Sequence, residues 1–203
     1  MVDDWAKTIL EIDLIDGLRH GVCVSNLTYL IAKKLGLSDE ECNNLAVAGM
    51  VHDIGKLRLS SYLYGRNSNG MIIEEIQYMR KHSRLGYEIL KKYSYNDAIC
   101  EAVLYHHENY DGSGYPDNLK AEKIPLGARI MRVADAFIAL ISERPYREAY
   151  DFDSTISIMI EDVKEYDMQV FLAFMDVIHE DGMLEKIRQD QMSIDYDMEE
   201  LNF

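Results

Sequence analysis

Cysteine, proline, positive charge and long apolar runs are all in short supply in this 203-residue chain. Cys23, Cys42 and Cys100 are odd in number and share no short-motif spacing, which excludes a disulfide framework and fits reduced thiols. No window approaches the ~18 consecutive apolar residues of a membrane span, and Met1-Val2-Asp3-Asp4-Trp5 lacks the basic flank and apolar segment of a signal peptide. A cytoplasmic protein with no membrane partner is expected. With 21 Lys and Arg against 36 Asp and Glu, the net charge of -15 argues against a nucleic acid polymer as partner. A small anionic ligand is different, because metals and a few basic side chains can make a local positive site inside a negative surface. The remaining composition, 48% hydrophobic and 28% charged with three prolines, is that of a globular chain. Its length suits one sizeable core and is too short for two.

Histidine is what the chain does have, in a telling arrangement. His52-Asp53-Ile54-Gly55-Lys56 closes the apolar-periodic run 45–51. Adjacent His and Asp side chains on a helix point about 100° apart, so they can grip neighbouring ions from one wall. Lys56, four residues beyond His52, is expected on the same helical face, where its ammonium would meet an anionic substrate. On these residues alone, a capped and hydrogen-bonded helix end is an equally good account. The other histidines add weight to the metal reading. His20, His52, His82, His106 and His107 each sit in or beside a helical pattern, at intervals too long for local turns, and only His179 is left over. Asp135 lies in the otherwise apolar run 130–140, where an unpaired charge costs on the order of several kcal/mol. Five imidazoles and two carboxylates suit iron, manganese, nickel or zinc, and no cysteine belongs to the set. If Asp53 bridges two roughly octahedral ions, these seven side chains fill about eight of about twelve coordination positions, leaving room for waters and a phosphate.

The rest of the chain reads as helices. Residues 6–19 and 22–35 show helical spacing, separated by Gly17 and His20, and Gly36 ends the second run. Ser38-Asp39-Glu40-Glu41 is a capping box that starts the helix leading to His52. Residues 58–70 carry Gly65, Asn67, Ser68, Asn69 and Gly70 and are expected to be a loop, either a lid or a surface connection. Helical period resumes from Ile72 to His82, and again over 96–108, where Ile99, Ala102, Val103 and His106 share a face. Asn109-Tyr110-Asp111-Gly112-Ser113-Gly114-Tyr115-Pro116 is dense in turn formers. Pro125 is expected to begin a helix running to Ser142. Arg144 and Arg147 then present two guanidiniums, favoured partners of phosphate oxygens, or simply solvated helix-end arginines. Residues 153–187 suit two or three amphipathic helices, and the acidic stretch from Asp190 suits a frayed or solvated tail. No stretch reads as a strand of consequence, so the fold expected is all-α.

This ordered series of motifs resembles the HD-GYP domains, a branch of the HD metal-dependent phosphohydrolases, over roughly residues 9–180. The residues that carry the likeness are His20, His52-Asp53-Ile54-Gly55-Lys56, His82 with Gly86, His106-His107-Glu108, Asp111-Gly112-Ser113-Gly114-Tyr115-Pro116, Ile124-Pro125 with Ala128-Arg129-Ile130, Asp135-Ala136-Phe137 and Arg144-Pro145-Tyr146-Arg147. The resemblance implies a single-domain helical bundle of the HD type over 1–183, with an acidic C-terminal helix or tail over 184–203. It also implies a binuclear, sometimes trinuclear, iron or manganese centre that hydrolyses cyclic di-GMP to linear pGpG and in some members to GMP. Matched residue by residue, His20, His52, Asp53, His82, His106, His107 and Asp135 are the metal ligands, Asp53 bridging. Asp53 and Lys56 are the catalytic pair. Lys56, Tyr115, Arg144 and Arg147, with Gly114 and Pro116 of the Gly-Tyr-Pro loop, are the substrate positions. Asp16 stands where the family's third metal takes a Glu, and its shorter side chain weakens the expectation of a third ion.

The sequence departs from the pattern at His20-Gly21-Val22-Cys23, where Ser and Arg usually follow the His; at Arg66-Asn67, in place of Lys-Pro; and at Tyr166-Asp167-Met168, in place of Phe-Asp-Pro. These changes spare the ligand set and bear on the lid and on substrate preference. The expected small-molecule partner is a cyclic dinucleotide, and a homodimer or a regulatory protein is the macromolecular partner to consider. Rival readings are another cyclic dinucleotide such as cyclic GMP-AMP, a di-iron oxygenase, and a non-catalytic binding module. Lys56, the two arginines and the Gly-Tyr-Pro loop favour diester hydrolysis over the oxygenase.

Overall fold

A computed structural model describes residues 4–63, 77–143 and 147–200, with side-chain surroundings for 15–59, 77–143 and 147–191. Among the described residues the helices are α1 (Asp4–Lys34), α2 (Asp39–Val51), α3 (Lys56–Leu63), α4 (His82–Lys92), α5 (Asp97–Tyr105), α6 (Leu126–Ile141), α7 (Phe152–Glu161), α8 (Met168–Ile178) and α9 (Met183–Glu200). Short 3-10 turns occur at Ala121–Lys123 and Val163–Glu165, and no β-strand is found among these residues. The all-α expectation is met.

Local chemistry sets the helix starts. The Ser38 hydroxyl accepts the Glu41 amide at 3.3 Å while the Glu41 carboxylate accepts the Ser38 amide at 2.9 Å, which is the capping box read from sequence. Asn96, Asp151 and Asp167 cap α5, α7 and α8 through their side-chain oxygens. α1 runs unbroken for 31 residues, where the sequence suggested an interruption at Gly17 and His20. A helical Gly costs only about 1 kcal/mol relative to Ala, and α1 offsets that by packing against α2, α6, α8 and α9. Residues 58–63 are helical rather than loop, and residues 64–70 of the expected lid lie outside the described residues. The C-terminal stretch is helical to Glu200 rather than a tail from Asp190; α9 is anchored by buried Ile187 and by the Asn26 amide, which donates to Asp190 at 2.8 Å.

The core runs along α1, α2, α5, α6 and α8, with Val24, Leu27, Ile31, Ala48, Val103, Ile130, Phe137 and Phe174 fully or almost fully buried. Each large apolar side chain so buried contributes about 1.5–3 kcal/mol. At Gly49 a Cβ would stand 2.8 Å from Ser25 Cα, so α1 and α2 touch backbone to backbone. That contact brings the His20 and His52 rings to 5.2 Å. α6 lies across α1 and α5 and delivers Asp135 to the same place.

Candidate metal centre

The ends of helices, more than their middles, place the histidines. His52 is the C-cap of α2, His106 the C-cap of α5, His82 opens α4, and His107 lies in the turn after α5. His52 Nδ1 donates to the Gly49 carbonyl at 2.7 Å, His82 Nδ1 to Met79 at 2.8 Å and His106 Nδ1 to Val103 at 2.7 Å. A carbonyl oxygen only accepts, so Nδ1 carries a proton in all three rings, and in the neutral ring it is Nε2 that keeps the lone pair.

Those lone pairs converge. His82 Nε2 lies 3.3 Å from His106 Nε2 and 3.2 Å from His107 Nε2. Asp53 reaches His82 with Oδ1 and His52 with Oδ2, both at 3.4 Å. Asp135 Oδ1 accepts from His20 Nε2 at 2.9 Å and lies 3.7 Å from His52 Nε2. Three overlapping donor groups result: His82 with His106 and His107, His20 with His52 and Asp135, and His52 with Asp53 and His106. Within each, the ligand atoms lie within 4.8 Å of one another.

Electrostatics sharpen the case for a cation. Protonation would quiet the facing lone pairs, but burial opposes it: the imidazoles of His82 and His106 are pushed below their ordinary range, and that of His107 falls to about 3. Burial pushes the Asp53 carboxyl up, and His52, Lys56 and His82 outweigh it, holding the group well below the usual carboxylate range. Asp135 behaves alike, the His20 hydrogen bond and His52 overcoming burial. His52 Nε2 and His20 Nδ1 are buried without a hydrogen-bond partner among the described residues. Unpartnered nitrogens, neutral rings aimed at each other and two ionised carboxylates fit divalent cation binding, with no thiolate in the set.

The other expected site residues are placed unevenly. Lys56 opens α3 after a turn, so it does not share a helical face with His52; its Nζ lies 2.5 Å from Asp53 Oδ2 instead. Arg147 lines a cavity of about 260 Å³ together with His20, Asp53, Lys56, His107 and Asp135. It donates to the carbonyls of Leu140, Glu148 and Ala139, and its guanidinium lies over Tyr150. Arg144 lies outside the described residues. Gly114, Tyr115 and Pro116 do not line the cavity; Gly114 is buried and Tyr115 stacks on the His107 ring with centroids 4.7 Å apart. Asp16 is exposed, bonds Arg19 at 2.8 Å and joins none of the three donor groups.

The sequence reading gave no role to Glu108, which is buried and accepts the amides of Asp117 at 2.7 Å and Leu119 at 3.0 Å. A carboxylate wedged between a histidine pair and a turn-rich loop was the available signal. Nor did it anticipate Arg80 over the Tyr115 ring, or Asp167, buried and paired with Arg129.

The pattern of the HD domain matches residues 6–170. The chain belongs to the HD-domain family. Its motif order is that of the HD-GYP branch. It is 42% identical over 137 residues, 66% of this chain and 36% of the relative, to the cyclic di-GMP phosphodiesterase response regulator RpfG of Xanthomonas campestris pv. campestris. It is 35% identical over 157 residues, 75% of this chain and 36% of the relative, to 3'3'-cGAMP-specific phosphodiesterase 1 of Vibrio cholerae. The chain thus spans about a third of the length of the curated relatives it matches. Among solved structures, the cyclic GMP-AMP phosphodiesterase V-cGAP3 of V. cholerae superposes with a TM-score of 0.69 at 15% identity, over 91% of this chain and 52% of that one, a likeness of fold. No described helix is long and apolar enough to cross a membrane.

Proposed function

We propose that this HD domain is a metal-dependent phosphodiesterase that opens cyclic di-GMP, the product being linear pGpG or, after a second cleavage, GMP, in bacterial second-messenger signalling. The observation that carries the reading is the convergence of Nε2 lone pairs from His82 and His106, 3.3 Å apart, beside ionised Asp53. In this reading His20, His52, Asp53, His82, His106, His107 and Asp135 would hold two ions, iron or manganese, with Asp53 the carboxylate that faces both His52 and His82. When bound, the ions supply Lewis acidity toward the phosphodiester oxygens and toward an attacking water.

The protein's own groups do the rest. Lys56, partly exposed at the cavity and paired with Asp53, keeps a positive charge where the diester arrives. Arg147 has five N–H donors, of which its bonds to Leu140, Glu148 and Ala139 engage three, leaving two for phosphate oxygens. Carbonyl bonds hold the His52, His82 and His106 rings in register, so little reorganisation accompanies substrate binding. The single-domain assignment over 1–183, a substrate role for Arg144, and a homodimer or regulatory protein as partner belong to the same reading.

The kinship with a 3'3'-cGAMP-specific phosphodiesterase favours one second reading, cyclic GMP-AMP as the substrate, since both rings present the same phosphates. Chromatography of products after incubation with each dinucleotide, with Mn²⁺ or Fe²⁺, separates the two. Asp53→Ala, assayed with its metal content measured in parallel, is expected to lose turnover; full activity in a metal-free Asp53→Ala protein would overturn the mechanism.

A further inference from the structure

Four of the five converging imidazoles have a polar partner that sets the ring: carbonyls for His52, His82 and His106, and Asp135 for His20. His107 differs: its Nε2 lies 3.2 Å from His82 Nε2, itself a member of the donor group, and among the described residues no backbone carbonyl is bonded to its Nδ1. Its ring instead lies nearly parallel to that of Tyr115, 29° between planes and 4.7 Å between centroids. The Arg80 guanidinium lies over the Tyr115 ring, 5.1 Å from its centroid.

Tyr115 is itself fixed by the backbone beside His107. Its amide donates to the His107 carbonyl at 3.0 Å. Gly114 lies so close to Glu108 that a Cβ there would stand 2.5 Å from Glu108 Cα, so the loop has no slack on that side. On the other side of Tyr115 the chain is tied down by the Glu108 carboxylate, one oxygen on the Asp117 amide and the other on the Leu119 amide. A carboxylate holding two amides in a buried setting is a strong fixture, and it clamps the loop to the residue next to the ligand.

We propose that Glu108 and Tyr115 are positioning residues: the Glu108-anchored loop presses the Tyr115 ring against His107 and so holds that imidazole in its ligating orientation. Occupancy of the His82, His106 and His107 group therefore depends on two side chains that offer it no donor atom. The inference rests on the metal reading above. Loss of an orienting partner of this kind typically weakens metal affinity about ten- to a hundredfold.

The test is Mn²⁺ uptake by Tyr115→Leu, Tyr115→Phe and Glu108→Gln, measured by titration and elemental analysis. Wild type is expected to take up two ions. Tyr115→Leu and Glu108→Gln are expected to bind one of them about ten- to a hundredfold more weakly, and adding His20→Ala to either should weaken the other ion as well. Tyr115→Phe, which keeps the ring and drops the hydroxyl, should bind like wild type; a purely structural role for the loop would not single out one ion or be rescued by Phe. If Tyr115→Leu does not fold, Glu108→Gln carries the comparison, since it keeps size and one acceptor. Two ions bound at wild-type affinity by Tyr115→Leu or Glu108→Gln, or Tyr115→Phe as impaired as Tyr115→Leu, would sink the inference alone. A wild-type chain that takes up no Mn²⁺ would sink the metal reading beneath it.

Discussion

Replacing Gly55 by alanine forces a methyl group into main chain that has nowhere to go. The added Cβ would collide with the His82 carbonyl oxygen and lie 2.8 Å from His82 C and 2.7 Å from Gly86 N, all backbone atoms of α4. Gly86→Ala across the same contact is milder, meeting Val103 Cγ1 at 3.1 Å and Ile54 Cγ2 at 3.6 Å, which are side-chain atoms able to shift. Overpacking that neighbours can absorb costs about 1–3 kcal/mol. Gly86→Ala belongs near 1 kcal/mol and Gly55→Ala at about 3 kcal/mol or above. In a chain of this size 1 kcal/mol shifts the melting temperature by about 2–4 °C, so Gly55→Ala should lower it by about 6–12 °C and Gly86→Ala by about 2–4 °C. The effect reaches the centre, because the displaced residue is His82, whose Nε2 stands 3.4 Å from Asp53 and 3.3 Å from His106. Calorimetry of the metal-free variants, followed by Mn²⁺ uptake, measures both consequences. A Gly55→Ala protein melting within about 2 °C of wild type, or equal losses for the two glycines, would refute the packing argument.

The metal-free chain should lose stability as pH falls below about 6.5. His107 has a folded pKa of about 3, and His82 and His106 are also depressed, so the unfolded state binds more protons in this window. Each such ring costs up to about 1.4 kcal/mol per pH unit, and urea midpoints that stay level between about pH 7.5 and 5 would contradict it, a range chosen to lie above the titration of ordinary carboxylates. Arg129→Ala leaves Asp167 buried without its cation; the expected loss is on the order of 3–5 kcal/mol, with Mn²⁺ stoichiometry unchanged, and a wild-type melting temperature would show the pair to be dispensable.

Periodicity and caps were enough to read an all-helical chain, because the apolar positions of α2, α5 and α6 repeat at helical spacing and Ser38 with Glu41 forms the box that the sequence spells out. The unbroken α1 was hidden, since Gly17 looks like a stop until the packing of the helix against four others is known. The histidines could be chosen from sequence as candidates, yet their convergence could not, because it depends on contacts such as Gly49 against Ser25 that join residues 24 apart. Lys56 leaves the helical face expected of it for a local reason: the chain departs from helical geometry between His52 and Lys56, and the ammonium lies against Asp53. Glu108 escaped because its partners are backbone amides, and no side-chain pattern announces those.

The His-Asp pair at the end of α2 admits a capped helix end or a metal ligand, and the geometry of His52 makes the two compatible. The last carbonyls of a helix have no intrahelical donor. Gly49 and Val103 lie in the last turns of α2 and α5, and the C-cap residues His52 and His106 satisfy their carbonyls with Nδ1–H. A helix thus gains a partner for an orphan carbonyl from one nitrogen of the ring. The proton used there is the one that would otherwise block Nε2, so the capping bond selects the tautomer a cation requires. His82 Nδ1 donates likewise to the Met79 carbonyl just ahead of α4, which selects the same tautomer. Substituting His52 or His106 by Gln should therefore harm the helix end and the donor group together. His107, held by an aromatic ring instead of a carbonyl, should show the loss of metal with its helix intact.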